Sequence, residues 1–341
     1  MVSTVGVVIP CYRARDFIKD VVNQILDAAN QLQDKCKLKV YVVDDCCPEQ
    51  SWKQVEGNIS IKIIKHSRNL GVGAATISGF QAALSDNCQA VVKIDADGQH
   101  LPHYLIDLIP YLLSLPNYKL ILVKGTRYLW PEITSNVPLI RRLGSMFLEP
   151  IARVALCYRR LTDIANGYLA FNALTLKHIL SPNLGRKLES RYLFESSILE
   201  RCSLLGCEVH EFAMASRYFE YTKSSMKSSH MVFPMLRFWI RAIIKRLFNQ
   251  YIFSLNLGTI LFLLSLSSFV FALRLFLGRI YAEISSGVLV SAGTSAAFTS
   301  SLTISLLSLC FFLFYDYSSG QNVKKVRFSS FINDLNELNL T

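Results

Sequence analysis

The sequence predicts an α/β domain with a mostly parallel sheet, followed by an interfacial helix and two transmembrane helices. Short β-rich runs alternate with helical stretches over the first 220 residues, a basic stretch comes next, and two long uncharged runs follow it. Apolar residues make up 51% of the 341 residues and charged residues 18%, a composition that excludes disordered and collagen-like chains. One part of the chain is therefore expected in water and another in lipid.

The alternation of strands and helices comes first along the chain. The strand-like runs are 5–9, 39–43, 59–65, 90–94 and 119–124, and the helix-like stretches are 16–29, 74–84 and 101–113. This βαβα order is typical of a parallel sheet with helices on its faces. Because ligands of such sheets bind beyond the carboxyl ends of the strands, we expect the site residues directly after the strands.

The two uncharged runs predict transmembrane helices. Residues 247–273 and 284–315 contain no charged side chain, and each run exceeds the ~20 residues that a helix needs to cross the hydrocarbon core. A buried hairpin in a soluble core is the alternative, although soluble helices are seldom so long. Lys and Arg are enriched on both flanks, which predicts that both flanks are cytoplasmic. Arg274 and Arg279, in the short outer turn, oppose this rule.

The cysteines and the N-terminal residues indicate the same compartment. Nine scattered cysteines show no paired spacing of the kind found in disulfide-rich domains or zinc sites, so we expect reduced thiols. The first residues lack the basic region and the long apolar region of a signal peptide. The N-terminal domain is therefore expected in the cytoplasm.

A basic stretch lies between the sheet domain and the uncharged runs. Residues 221–251 hold six Lys or Arg and no Asp or Glu, and the net charge of the whole chain is +11. Nucleic acid and anionic lipid both suit such a charge, but the position beside the uncharged runs favours lipid. From Pro234 onward, apolar and basic residues fall on different faces of a helix, which is typical of an interfacial helix. An amphipathic helix packed on the soluble domain is the alternative.

Two carboxylates follow an apolar strand in the run VVKIDADGQH. Asp95 and Asp97 are candidate ligands of Mg²⁺ or Mn²⁺, with Gln99 as an assisting group, because these cations prefer oxygen and can share it with a diphosphate. Asp and Gly are also common turn formers, so the pair alone is a weak signal. His100 and His103 are expected to be surface histidines, since these cations do not favour nitrogen.

Two further carboxylates follow the second predicted strand. Asp44 and Asp45 suit hydrogen bonds from a base N–H group and a ribose hydroxyl, and a helix N-cap before Pro48 is the alternative. Glycines in NLGVGAA lie near a helix start, where backbone N–H groups suit a phosphate. A plain strand-to-helix turn explains the same residues.

Eight motifs follow one another along the chain, namely VVIPCYRARDFI, VYVVDDCCPE, SRNLGVGAATISGFQAAL, VVKIDADGQHLP, VKGTRY, LTDIANGYLAF, RYLFESSIL and ASRYFEYTKSSMK. Their order resembles that of family 2 glycosyltransferases, and the chain is most similar to the polyprenyl-phosphate (dolichyl-phosphate mannose synthase-like) group with a membrane-anchoring C-terminus. The resemblance covers roughly residues 5–325. It implies a GT-A fold, a nucleotide-diphosphate sugar donor, Mg²⁺ or Mn²⁺, a polyprenyl phosphate acceptor and inversion at the anomeric carbon.

The resemblance also implies roles for individual residues. The nucleotide-sugar site would contain Pro10, Tyr12, Asp44, Asp45, Asp95 and Arg127, the metal site Asp95, Asp97 and Gln99, and the acceptor phosphate site Arg217 and Lys223. Asp163 and Asp97 would be catalytic. Because a phosphate acceptor is largely ionised, we expect Asp163 to position the acceptor or the metal shell, with proton removal second. A helix cap is the alternative for Asp163, and a solvated basic face for Arg217 and Lys223.

The expected division has four parts. These are a GT-A domain over residues 1–230, an amphipathic interfacial helix over 231–250, a transmembrane hairpin over 251–316 and a cytoplasmic tail over 317–341. Glu195 either lies in the acceptor region or is a buried structural carboxylate. Arg13 and Ala14 replace the Asn and Glu that are frequent in the family, which leaves the preferred nucleotide open.

The predicted function is inverting sugar transfer from a nucleotide-diphosphate sugar to a membrane polyprenyl phosphate. The alternatives are a membrane-bound glycosyltransferase that acts on another glycan or lipid, and a non-catalytic nucleotide-sugar-binding membrane protein. A polysaccharide synthase is disfavoured, because ILERC stands where that group carries Q-x-x-R-W. No nucleic-acid partner is expected, and a homo-oligomer is left open.

Overall fold

The computed structural model describes residues 2–130, 134, 137–182, 187–217, 228–252 and 255–332. The chain divides into two compact units, one of Met1–Trp239 with Asn322–Thr341 and one of Ile240–Gln321. Lys223, predicted to bind the acceptor phosphate, lies outside the described residues.

The strands and helices of the sheet-forming unit alternate along the chain. The strands are β1 (Ser3–Cys11), β2 (Cys36–Asp44), β3 (Ile61–Lys65), β4 (Ala90–Lys93), β5 (Ile121–Thr126), β6 (Tyr158–Arg159), β7 (Leu169–Asn172), β8 (Glu208–Ala213), β9 (Gln321–Asn322) and β10 (Lys324–Val326). The helices are α1 (Ile18–Gln31), α2 (Val72–Ser85), α3 (Leu105–Ser114), α4 (Leu139–Leu156), α5 (Ala173–Leu180) and α6 (Phe194–Leu204). Short 3₁₀ turns cover Ser51–Val55 and Pro102–Tyr104.

Eight strands form one sheet in the order β10, β8, β5, β7, β4, β1, β2, β3. Strand β7 runs antiparallel to its neighbours β4 and β5, and the other neighbouring pairs are parallel. The predicted α/β fold with a mostly parallel sheet is thus confirmed. The strand order reverses at β1, which has β2 on one side and β4 on the other. Such a reversal opens a ligand crevice at the carboxyl ends of the strands, next to the residues that follow β1, β2 and β4.

Tight packing on β1 fixes the centre of the sheet. Helix α1 buries apolar residues at helical spacing, namely Ile18, Val21, Val22, Ile25 and Ala28, so one face of this helix covers the sheet. Helix α2 approaches so closely that a Cβ atom at Gly79 would lie 2.3 Å from Cγ1 of Val8. Only glycine fits there without a shift of α2 or β1.

The second unit is helical. Helix α7 (Ser228–Leu247) leads into it and is followed by a π-helical turn (Phe248–Ile252), α8 (Leu257–Leu275), a second π-helical turn (Phe276–Ile280), α9 (Tyr281–Ser285) and α10 (Ala292–Ser319). Leu257–Ser285 and Ala292–Ser319 are long and apolar enough to cross a membrane, with mean hydropathies of 2.3 and 1.9. Only 11% and 22% of their most apolar windows are buried, whereas the core helices of a soluble protein are mostly buried. The predicted pair of apolar helices is therefore present.

Polar contacts hold the helical unit together. Ser265 and Ser305 each donate a hydrogen bond from Oγ to the other's carbonyl oxygen at 3.0 Å, where small side chains let α8 and α10 approach closely. The Arg246 guanidinium forms a two-pronged ion pair with Asp316 at 2.6 and 2.8 Å, and the Tyr251 hydroxyl donates to the same carboxylate at 2.6 Å. These contacts join the first and last segments of the unit.

Residues beyond α10 return to the sheet. Lys324–Val326 form β10, and Phe328 and Phe331 are buried in the core of the sheet-forming unit. Within the segment predicted as a cytoplasmic tail, residues 324–331 are thus packed on the sheet-forming unit.

Candidate active site

The D-x-D pair lies directly beyond β4, with a buried lysine beneath it. Lys93 Nζ donates to Asp95 Oδ1 at 2.6 Å, to Glu195 Oε1 at 3.1 Å and to the carbonyl oxygen of Gly167 at 3.2 Å. The side chain of Lys93 is fully buried, whereas that of Asp95 is 29% exposed. A Cβ atom at Gly167 would lie 2.5 Å from Asp95 Oδ2, so glycine leaves the space that this carboxylate occupies. The lysine therefore fixes Asp95 at the surface of the crevice.

The charges of this group compensate one another. Burial opposes the charged form of Lys93, yet Asp95 and Glu195 hold its pKa above the ordinary value. Burial also opposes ionisation of Asp95, and the Lys93 charge nevertheless brings the pKa of Asp95 below its ordinary value. Burial raises the pKa of Glu195. Glu195 is thus a largely buried carboxylate that is paired with Lys93.

The pKa of Asp97 is shifted upward, opposite to that of Asp95, and in the described part of the chain no cation is bonded to Asp97 as Lys93 is to Asp95. Burial and the nearby negative charge of Asp95 raise the pKa of Asp97 to about 6. The backbone N–H of Gln99 donates to Asp97 Oδ1 at 3.0 Å, so the loop turns back on this carboxylate. Two carboxylates that repel each other at the mouth of a crevice are stabilised by a hard cation.

The donor set fits Mg²⁺ or Mn²⁺ only in part. In the portion of the chain that the structure describes, no group of three or more His, Cys, Asp and Glu side chains is arranged around a common point. Asp95 and Asp97 supply oxygen but too few ligands for the six that these cations take. A cation at this position would therefore need oxygen atoms from water or a bound ligand.

His100 is a buried residue of the site, so the prediction of a surface histidine was wrong. Its Nδ1 accepts a hydrogen bond from the backbone N–H of Asp95 at 3.2 Å and lies 3.6 Å from Asp95 Oδ2. Burial lowers the pKa of His100 to about 4. The ring packs against Tyr168 with 5.4 Å between centroids. A neutral imidazole thus supports the D-x-D loop from inside.

Asp163 and Arg127 form a buried ion pair near this loop. Arg127 donates from Nη2 to Asp163 Oδ1 at 2.6 Å, and from Nε and its backbone N–H to Oδ2 at 2.8 and 2.9 Å. Burial alone would raise the pKa of Asp163, but the charge and hydrogen bonds of Arg127 lower it to about 2. Asn166, which donates to the Asp163 carboxylate, directly precedes Gly167, whose carbonyl oxygen accepts from Lys93, so the ion pair is linked to the lysine beneath the D-x-D loop. A carboxylate with so low a pKa is a weak base.

The backbone at Asp163 is held in an unusual conformation. Its φ angle is +49°, in the left-handed region that non-glycine residues seldom adopt. The Asp163 N–H donates to Glu149 Oε1 at 2.9 Å, and Asn166 Nδ2 donates to Asp163 Oδ2 at 3.1 Å. No helix begins at Asp163, so the helix-cap alternative does not apply. The surrounding contacts impose this conformation and aim the carboxylate at Arg127.

The residues predicted to bind the nucleotide lie at the ends of β1 and β2. Tyr12 is exposed directly after β1, and Pro10 lies within that strand. Asp44 and Asp45 are buried at the end of β2, and Asp44 Oδ1 accepts a hydrogen bond from Cys47 N at 3.0 Å. The structure therefore brings these four residues to the crevice edge that the strand order predicts.

Asp45 organises the loop between β3 and α2. Its Oδ1 receives Leu70 N–H at 2.9 Å and contacts His66 Nδ1 at 2.8 Å, and its Oδ2 receives Gly71 N–H at 2.7 Å. Both oxygens are thus engaged within the protein. Gly71 has a φ angle of +99°, which favours glycine at this turn.

The segment that carries Arg217 lies against the D-x-D loop. The backbone N–H of Arg217 donates to the carbonyl oxygen of Gln99 at 3.3 Å, and the residue itself is exposed. Ser216 forms an isolated β-bridge with His100, and Ala215 N–H donates to the Tyr104 hydroxyl at 2.8 Å. The backbone of Arg217 is therefore held close to Gln99. This position is required if Arg217 contacts a ligand bound at the D-x-D loop.

Several charged residues of the site were not predicted from the sequence. They are Lys93, Lys124, Glu149 and Glu211, all of them buried. Two of them could have been recognised, because a lysine occurs in each of the apolar strands VVKID and LVKGT. A lysine buried in such a strand requires a charged or hydrogen-bonding partner. Neither strand reveals which distant carboxylate is that partner.

Comparison with known proteins agrees with this geometry. Residues 6–145 match the family model described as Glycosyl transferase family 2. A UDP-N-acetylglucosamine–dolichyl-phosphate N-acetylglucosaminyltransferase of Methanococcus voltae is 29% identical over 232 residues, which cover 63% of this chain and 86% of that protein. A dolichol-phosphate mannosyltransferase of Pyrococcus furiosus is 27% identical over 188 residues, covering 54% of this chain and only half (50%) of that protein.

A solved structure supports the fold. Mannosyl-3-phosphoglycerate synthase from Rubrobacter xylanophilus superposes with a TM-score of 0.53 at 16% sequence identity, covering 75% of this chain and 77% of that one. This likeness concerns the fold alone. With the family match and the two related transferases, residues 6–145 are a family 2 glycosyltransferase domain, and the protein is a glycosyltransferase.

Proposed function

We propose that this enzyme transfers a sugar, with inversion, from a nucleotide-diphosphate sugar to a polyprenyl phosphate in the membrane. The observation that carries the proposal is the position of the D-x-D loop beside the Arg217 segment, in a chain that also has two helices of membrane-spanning length. The names of the two related transferases, which both specify a dolichyl or dolichol phosphate, support the same acceptor class. Transfer to another membrane glycan or lipid is the second candidate.

The donor would bind at the reversal of the strand order. Pro10, Tyr12, Asp44 and Asp45 would surround the nucleotide, with Asp45 acting through the loop that it organises. Asp95, Asp97 and Gln99 would hold Mg²⁺ or Mn²⁺ against the diphosphate. When bound, this cation would neutralise the charge that develops on the departing diphosphate. Lys93 would keep Asp95 in place for this role.

The acceptor phosphate would attack the anomeric carbon directly. One of its oxygen atoms forms the new bond to that carbon, the bond to the donor diphosphate breaks, and the electron pair leaves with the nucleoside diphosphate. Because the acceptor is already largely ionised, the step requires little proton removal. We therefore assign Asp163 the role of positioning Arg127, whose guanidinium would contact the donor phosphates.

Two features of the chain would bring the domain to a lipid acceptor. Leu257–Ser285 and Ala292–Ser319 would span the bilayer, with residues 231–250 at its surface and the catalytic domain of residues 1–230 on the cytoplasmic side. Helix α4 of the catalytic domain exposes a row of apolar side chains, namely Leu139, Ile140, Leu143, Met146, Phe147 and Val154. An exposed apolar row of this width on a helix suits a membrane surface.

Product analysis tests the proposed reaction. The purified full chain, with Mn²⁺, a short-chain polyprenyl phosphate and a panel of UDP- and GDP-sugars, is expected to form one polyprenyl-phosphate sugar, detected by mass spectrometry. Omission of the metal by chelation is expected to abolish the product. Transfer to a glycan acceptor, with no product from any polyprenyl phosphate, would support the second candidate instead.

Arg217 should contribute to binding of the acceptor. Removal of a charge-assisted hydrogen bond to a phosphate costs about 1.5–3 kcal/mol, so Arg217→Ala is expected to raise the acceptor KM roughly 10-fold or more, with a smaller change in the donor KM. Arg217→Lys should recover part of the loss, and Lys177→Ala, a change on the exposed surface of α5, should alter neither KM. A larger effect on the donor KM would count against the acceptor site.

A further inference from the structure

The segment beyond the second apolar helix is an integral part of the catalytic unit. Strand β10 pairs in parallel with β8, and Phe328 and Phe331 are buried in the core. Ser329 Oγ and Ser330 N–H donate hydrogen bonds to the Asp107 carboxylate of α3 at 2.7–3.0 Å. A segment fixed in these three ways can hold other residues in position.

Neighbouring lysines of β10 meet two different glutamates of β8. Lys324 Nζ lies 2.8 Å from Glu208 Oε2, and the lysine side chain is 58% exposed. Lys325 forms an ion pair with Glu211, whose side chain is fully buried, and donates a second hydrogen bond to the carbonyl oxygen of Arg160 at 2.8 Å. Successive side chains of a strand point to opposite faces, and Lys325, whose side chain is 32% exposed, directs its charge to the buried Glu211.

Glu211 links this lysine to the candidate active site. Its carboxylate accepts hydrogen bonds from the N–H and Oγ1 of Thr162, both at 2.9 Å, and from Lys124 Nζ at 3.2 Å. Lys124 is fully buried in β5 and also donates to the carbonyl oxygens of Thr162 and Asp163 at 2.9 Å each. The contacts therefore form a continuous path from β10 to the backbone of Asp163.

Lys124 makes two kinds of contact, and Lys325 shares one of them, the ion pair with Glu211. Lys124 holds the carbonyl oxygen of Asp163, and it also faces the buried carboxylate of Glu211. Without Lys325, Lys124 would be the cation left to neutralise Glu211, since a buried carboxylate requires a paired charge. Its Nζ would then move toward Glu211 and away from the carbonyl oxygens of residues 162 and 163.

We propose that Lys325 is a positioning residue of the enzyme. Because Lys325 pairs with Glu211, Lys124 can hold the backbone of Thr162 and Asp163. This contact keeps the Asp163–Arg127 ion pair in place beside the D-x-D loop. The reaction affected is the one proposed above, so the inference rests on that function. Its consequence is that the site is complete only when the segment that follows the second apolar helix is docked on β8.

Matched variants of the full chain test the inference. Lys325→Met removes the charge and keeps most of the length of the side chain, Lys325→Arg restores the charge, and Lys324→Met makes the same change on the other side of β10. Small displacements of positioning groups cost up to about 10²-fold in rate, so we expect Lys325→Met to lower kcat roughly 10-fold or more and Lys324→Met to leave it within about twofold. Lys325→Arg should recover most of the kcat.

Hydrogen exchange supplies a readout that needs no acceptor. The amide N–H groups of Thr162 and Asp163 donate to Glu211 and Glu149, so a peptide covering residues 158–168 should exchange faster in Lys325→Met than in Lys324→Met. Equal kcat and equal exchange in the two Met variants, or a loss in Lys325→Met that Lys325→Arg does not recover, would overturn the inference. Faster exchange in Lys325→Met, with no transfer to polyprenyl phosphate by the wild type, would instead contradict the proposed function and leave the positioning role standing.

Discussion

Replacement of Asp97 by asparagine is expected to lower the kcat of sugar transfer by roughly 10²-fold or more, because a catalytic cation contributes several kcal/mol and each ~1.4 kcal/mol is a factor of ten. The raised pKa of Asp97 is the physical reason. Its charge is disfavoured by burial and by Asp95 in the protein alone, so a cation that binds both carboxylates relieves the repulsion. Asparagine keeps the shape of the side chain but removes the charge that holds the cation.

Metal titration separates this effect from misfolding. Initial rates measured over a range of Mn²⁺ concentrations should give a higher half-saturating concentration for Asp97→Asn, and the thermal unfolding midpoint without metal should stay at or above that of the wild type. Asp20→Asn, which removes an exposed carboxylate from α1, serves as the matched control and should leave the rate within about twofold. A wild-type response to Mn²⁺ in Asp97→Asn would remove this residue from the metal site.

The positions of the site residues could be predicted from the sequence because the sheet is mostly parallel. Polar residues at or just after the ends of β1, β2 and β4 all reach one edge of such a sheet, and the structure has Tyr12, Asp44 and Asp95 there. The apolar strands are short and bounded by polar residues, which makes this pattern visible without any knowledge of distant contacts.

Contacts between residues far apart in the chain could not be predicted in this way. Strand β7 is antiparallel and short, and β10 is a basic segment whose role in the sheet depends on β8 more than 100 residues earlier. The sequence shows a lysine in each of β4 and β5, but not that these lysines pair with Glu195 and Glu211, which lie on distant elements. Burial of His100 likewise depends on Tyr168 and the Ser216 segment, which the local sequence does not specify.

Removal of the Lys93 charge should affect both the stability and the activity of the enzyme. In Lys93→Met, Asp95 and Glu195 lose the ammonium group that both contact, and removal of one partner from a buried ion pair costs about 3–5 kcal/mol. We therefore expect a lower thermal unfolding midpoint and, because Asp95 is no longer anchored, a lower kcat. Lys37→Met, at the exposed start of β2, is the matched control and should change neither quantity.

A second substitution distinguishes the two roles of Lys93. In the double variant Lys93→Met with Glu195→Gln, one of the two carboxylates becomes neutral, so part of the lost stability should return. Activity should not return with it, because Asp95 still lacks the 2.6 Å hydrogen bond that fixes its carboxylate toward the crevice. If kcat recovers together with the unfolding midpoint, Lys93 acts only through stability, and the anchoring of Asp95 is not its contribution to catalysis. A loss of kcat that persists at a restored midpoint is the result expected for a lysine that holds a metal ligand in place.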